Sequence, residues 1–164
     1  MKGMEVTPFN GHWPDAEEVS DFGLWVLPVA PATVNTVVIE SFGYLHGPAR
    51  PLVTDTPHLV IDLRELFRDP HVSPELRYST GRNDAVRANV LDQPGAVEFL
   101  RAQATAIAAL VPAAQPHVVT VGVGCAGGRH RSVVAAEALA LLLAADGIGT
   151  EVYHRDIRRP VVQR

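Results

Sequence analysis

One stretch of this chain leaves little choice of fold. Residues 118–123 (Val-Val-Thr-Val-Gly-Val) are β-branched and mostly apolar, as in a strand buried on both faces. Gly124, Gly127 and Gly128 follow, then Arg129, His130, Arg131 and Ser132. Residues 133–145 carry Ala, Val or Leu at nearly every position, the pattern of a helix buried on most sides. Strand, glycine turn and helix in this order demand an α/β arrangement. They also place unpaired N–H groups and the positive end of a helix dipole at one point. With three cationic residues at the same spot, the stretch reads as a pocket for phosphate or another oxyanion.

The rest of the chain extends that architecture. Residues 34–41 and 58–63 read as two further strands, and residues 150–154 as a last one. Asn83 or Thr80 caps a short helix over residues 84–91. Asp92-Gln-Pro-Gly95 opens another, whose stripe of Val97, Leu100, Ala104, Ile107 and Val111 repeats at helical spacing until Pro112. Ser73-Pro-Glu75 has the form of a helix start. Gly147 stops the helix that follows the glycine turn. Strands alternating with helices predict a single compact α/β domain, with a mostly parallel sheet, flanking helices and the glycine-rich anion loop at a strand-to-helix turn. That domain is expected over residues 33–164. Residues 1–32 are acidic and rich in Pro and aromatics. They read as an N-terminal arm with a short helical turn at residues 15–20, which packs Trp13 or Trp25 on the body, stays mobile, or contacts a partner or second copy of the chain.

Charge narrows the function. The formal net charge of −4 lies entirely in residues 1–30, and the remainder is neutral. A general nucleic-acid binder is expected to be basic, so only a local arginine patch remains for RNA. Arg155, Arg158 and Arg159 are the candidates, against a simply solvated C-terminal segment. The single cysteine excludes an intrachain disulfide, and a cytoplasmic location is the expectation. No uninterrupted apolar run of membrane-spanning length is expected, and no leader. Seven histidines show no His-x3-His spacing, and the arginines around them oppose a cation. Neither a metal nor another cofactor is expected, and a lysine-bearing Walker loop is absent from these residues.

Two chemistries fit the loop. Cys125 and Arg131 are spaced Cys-x5-Arg, with Ser132 next, the minimal pattern of cysteine-dependent phosphatases. There a thiolate attacks a phosphoryl group held by loop amides and the arginine. In that reading Cys125 is the nucleophile, Arg131 the clamp, and Asp62 or Asp69 the acid. Those enzymes usually carry His before the cysteine, where Gly124 stands here. Alternatively, Cys125 is a small buried residue at a tight strand end.

The second match is longer. Gly124-Cys-Ala-Gly-Gly-Arg-His-Arg-Ser-Val133 resembles the Gly-Cys-Thr-Gly-Gly-x-His-Arg-Ser-Val loop of the C-terminal domain of the RapZ family. Ser41-Phe-Gly-Tyr-Leu-His-Gly47 is similar to that family's Ser-Phe-Gly-Phe-Lys-His-Gly. Asp62-Leu-Arg64 and the segment around Asp69-Pro-His71 resemble its Asp-Val-Arg and Asn-Pro-His-Trp stretch, and His154-Arg155 a His-Arg pair near its end. The resemblance runs from about Thr33 to Arg159. It implies a compact fold shaped like a phosphofructokinase subdomain, and a regulatory domain that binds a phosphorylated metabolite rather than an enzyme. Family members sense glucosamine-6-phosphate through this domain and act as RNA-binding adapters. They carry a nucleotide-binding domain ahead of it, so a stand-alone copy is the expectation here. The implied ligand residues are His46, Arg64, His71, Gly127, Gly128, His130, Arg131 and Ser132, with a homo-oligomer as a possible assembly. Leu45 and Ala126 replace the family's Lys and Thr, which removes a cation and a hydroxyl from the expected pocket.

Overall fold

In the computed structural model, residues 25–26, 36–47, 56–114 and 118–162 are described. The helical turn expected at residues 15–20, and Trp13, lie outside them.

The sheet has five strands: β1 (Trp25–Val26), β2 (Thr36–Gly43), β3 (Leu59–Asp62), β4 (Val118–Cys125) and β5 (Gly149–His154). Their spatial order is β1-β5-β2-β4-β3. Strands β5, β2, β4 and β3 run parallel, and β1 pairs antiparallel with β5 through Trp25 opposite Val152. The four parallel strands are those expected from the sequence. β1 is an addition, too short for any periodicity to announce it.

Three helices complete the domain: α1 (Asp84–Leu91), α2 (Ala96–Leu110) and α3 (Arg131–Ala145). Asn83 caps α1, its side chain accepting from the amides of Ala85 and Val86, which satisfies two otherwise orphaned donors. α3 packs on β2, β4 and β5, and α1 and α2 pack against α3. The core follows the pleat. Val37 and Ile39 of β2, Val119, Val121 and Val123 of β4, and Val152 of β5 meet Leu100 and Ile107 of α2 and Leu139 and Leu143 of α3.

One expectation fails. The Ser73-Pro-Glu75 start yields turns only: Leu76 and Arg77 amides both donate to Ser73 O, and no helix propagates. A first turn alone is an unfavourable nucleus. Residues Ala96–Ala113, which comprise α2 and the 3-10 turn after it, are also long and apolar enough by composition to cross a membrane. The run is not uninterrupted: it contains Glu98, Arg101 and Pro112. In the fold, Ala96, Leu100, Ala104 and Ile107 form its buried stripe.

Candidate functional site

The C-terminal ends of the parallel strands converge, as the switch-point rule for α/β sheets requires. The Leu63 amide donates to Gly124 O at 2.7 Å, Leu45 to Ala126 O at 3.0 Å, and Arg155 to Ser41 O at 3.0 Å. These bonds stitch the loops after β3, β2 and β5 onto the end of β4. At the centre, Gly128 sits at φ +68°, and a Cβ there would lie 2.5 Å from Gly43 N and 2.8 Å from Asp156 Cβ. Only glycine fits, in both conformation and space. Asp156, fully buried, accepts the Gly43 amide at 2.8 Å and pairs with Arg155 and Arg159.

Residues 126–130 form the connection from β4 to α3. The Cys125 thiol is buried against α3: Gly128 N–H donates to Sγ at 3.2 Å, and Ser132 Oγ lies 3.2 Å from it. The position before it has no room for the histidine of the phosphatase pattern. A Cβ at Gly124 would meet the Tyr44 ring at 2.5 Å and the Phe42 ring at 2.6 Å. The first helical amide to find a carbonyl is Val134, at His130 O. The amides ahead of it head the helix without intrahelical partners. A small cleft lies here, lined by Cys125, Gly127, Arg129, His130 and Asp69, with residues 160–162 at its margin.

The cationic side chains take roles the sequence does not suggest. Arg131 is 3% exposed. Its guanidinium donates to the carbonyls of Leu63, Arg64, Leu66 and Phe67, and to Asp69 Oδ2 at 2.9 Å. It holds the loop after β3, at the position where the Cys-x5-Arg spacing expected a ligand clamp. Arg129 donates to Tyr78 O, Ser79 O, Ile157 O and Arg159 O. Four carbonyls solvate its charge, and no carboxylate among the described residues pairs with it. His130 is buried, with Nε2 2.9 Å from Ser79 O and Nδ1 3.9 Å from Asp69.

Other predicted residues are spread around this centre. Gly127 lines the cleft, and Gly128 and Ser132 act through the sulfur of Cys125. Arg64 lies over the Tyr44 ring, 3.9 Å from its centroid, and forms a two-pronged pair with Asp62. The Arg64 guanidinium holds the Asp62 carboxyl below its ordinary value. Asp62 is therefore ionised at neutral pH and has no proton to give, so it does not suit the acid role. Asp69 lines the cleft but is paired with Arg131. His46 ends the 3-10 turn Tyr44–His46, and its shielded Nε2 has no hydrogen-bond partner. His71 lies in the 3-10 turn Pro70–Val72 that follows Asp69. Arg155 faces inward, donating to Gly43 O and Gly47 O and pairing with Asp156. Of the proposed arginine patch only Arg158 and Arg159 are exposed. Among the described residues no cluster of three metal-ligating side chains occurs.

Sequence reasoning missed three groups. Asp156 is the clasp between β2 and the segment after β5, and the one clue to it is an acid set among arginines. Glu40 is 4% exposed, its Oε2 has no partner, and burial raises its pKa to about 7 against the pull of Arg155 and with a push from Asp156. Ser41 Oγ lies 2.7 Å from His154 Nδ1, whose Nε2 is 3.3 Å from Glu137 on α3. That row has the residue types of a hydrolytic triad. However, Ser41 is fully buried, so no substrate reaches it, and the row ties β2, β5 and α3 together.

The geometry can be set beside known proteins. A model of the RapZ C-terminal domain matches residues 35–158. A nucleotide-binding protein of Streptomyces coelicolor is 48% identical over 124 residues, 74% of this chain and 40% of that protein. One from Parafrankia is 48% identical over 160 residues, 95% of this chain and 51% of the relative. One from Mycobacterium leprae is 42% identical over 132 residues, 78% and 42% of the two chains. The chain thus spans about half the length, or less, of these relatives. The match covers β2 through β5 and the β4–α3 connection, and ends just before residues 160–162 of the cleft wall: the chain belongs to the RapZ C-terminal domain family.

Proposed function

We propose that this chain is a regulatory module that binds a small phosphorylated metabolite, phosphosugar-like in class, at the β4–α3 loop. The observation that carries this reading is Arg129. The residue lines the cleft, and the hydrogen bonds of its guanidinium to the described residues go to backbone carbonyls. A positive charge without a paired carboxylate, beside the amides heading a 15-residue helix, makes a field suited to an oxyanion. The anion is held by backbone N–H groups and this field, not by Arg131.

Thermal unfolding tests the reading. A ligand that binds only the folded state stabilises it by about 2.7 kcal/mol at a hundredfold excess over Kd. Glucosamine-6-phosphate or a related sugar phosphate should raise Tm, and the parent sugar should not. Equal Tm with every anion up to millimolar concentration would sink the proposal. An adapter role toward RNA draws on the family, and Arg158 and Arg159 are the exposed arginines available for it. Such binding should weaken steeply with salt.

A second reading, a Cys-x5-Arg phosphoryl-transfer enzyme, has one observation in its favour: Gly128 N–H and Ser132 Oγ both address the Cys125 sulfur. The engagement of Arg131 by carbonyls argues against it. Hydrolysis of an aryl phosphate that is abolished by Cys125→Ser would select the enzyme, whereas unchanged metabolite binding in the same variant selects the module.

A further inference from the structure

The cleft at the β4–α3 loop has a cavity volume of about 20 Å³, room for about one water molecule. A phosphoryl group, with phosphorus and several oxygens, does not fit. Part of the wall is Pro160, Val161 and Val162, which belong to no helix or strand. The chain is firmly anchored up to residue 159 and not beyond. Arg129 NH1 donates to Ile157 O at 2.9 Å and to Arg159 O at 3.2 Å. The Arg159 amide donates to Asp156 O, its Nε lies 3.0 Å from Asp156 Oδ1, and Asp156 is itself locked onto Gly43. Past this anchor, residues 160–162 make no backbone hydrogen bond with the other described residues, and Val161 and Val162 are half-buried.

We propose that residues 160–162 are a strap, hinged at Arg159, that closes the cleft and must lift before any ligand larger than water reaches the loop amides or the Cys125 sulfur. Lifting breaks no backbone hydrogen bond with the other described residues and exposes two valines, so the closed form is favoured but reversible. Arg129 joins the cleft to the hinge: the residue lines the cleft, and its guanidinium holds the carbonyls of residues 157 and 159. The closed strap lowers apparent affinity by the fraction of molecules that are open, and any factor that draws the strap away raises it. The effect on ligand affinity rests on the phosphate reading above, whereas the closure itself does not.

Cys125 is the chain's single cysteine and lines the same cleft, so its alkylation by uncharged iodoacetamide reports access directly. The rate should be compared in the full chain, in a chain ending at Arg159, and in the full-length Val161→Gly, Val162→Gly double variant. Both variants should react about tenfold faster or more, the factor expected when an opening equilibrium shifts by about 1.4 kcal/mol, with cooperative unfolding retained. If the shortened chain fails to fold, the double variant decides. Equal rates in a folded variant overturn the strap. Inorganic phosphate titrated against the same proteins should bind more tightly by a similar factor in the variants. Faster alkylation with no phosphate binding in any form leaves the strap standing and removes the phosphate reading. Phosphate binding with unchanged alkylation does the reverse.

Discussion

Arg131 and Glu40 show how burial reassigns a residue's chemistry. A guanidinium shared among four carbonyls and Asp69 is a structural bolt. Arg131→Ala removes a shared donor from these largely part-buried acceptors and the partner of Asp69, and a cost of about 1–3 kcal/mol is expected in urea unfolding. Arg131→Lys should recover little of it, because an ammonium cannot reproduce the planar fork. Glu40 makes stability depend on pH. Its folded pKa of about 7 lies above the ordinary value of 4.5. Between the two, the folded state keeps a proton that the unfolded chain has lost, so this contribution is complete below about pH 4.5 and is lost as pH rises through 7. Unfolding free energy should therefore fall by about 1–3 kcal/mol across that window. Glu40→Gln should flatten the profile there, and an unchanged slope in that variant would refute the assignment.

At the level of elements, local signals and crowded contacts behave differently. The Asn83 cap of α1 is visible in the sequence, because a short polar side chain ahead of an apolar periodic run has a local purpose. Asn83→Ala should cost about 1 kcal/mol, readable as a lowered Tm without change in the unfolding slope. The end of β4 is the opposite case. Gly124 looks like a flexible part of a glycine loop, yet it lies beneath the Phe42 and Tyr44 rings. Gly124→Ala forces those rings aside, and a loss of about 1–3 kcal/mol is expected from overpacking. The four parallel strands, to within about two residues, the α1 boundaries and the α2 stripe were legible from periodicity and caps. The Ser73 helix start misled because a start motif without an apolar face behind it has nothing to bury.

For the whole molecule, the polar contacts that cross the sheet edge matter most. Arg129 joins residues 78–79 to residues 157–159, segments far apart in sequence. Hydrogen exchange on Arg129→Ala should therefore show protection lost in both segments together. Loss in one alone would mean that the arginine does not couple them. The Ser41–His154–Glu137 row and the Asp156 clasp perform the same kind of service on either side of β5. Together they make the candidate site a property of the closed fold, since no single loop holds it.

By itself the sequence determined the α/β class, the four parallel strands, the glycine turn before a buried helix and the family, because each rests on patterns within one continuous stretch. Strand periodicity, capping residues and motif spacing are all short-range consequences of backbone geometry. Only the tertiary structure decided what the charged side chains do. Arg129, Arg131 and Asp156 find their partners some thirty to more than a hundred residues away, where spacing along the chain carries no information. A guanidinium near a glycine loop can face a ligand or a carbonyl with equal chemical sense. Which one it meets depends on the loops that the sheet brings alongside.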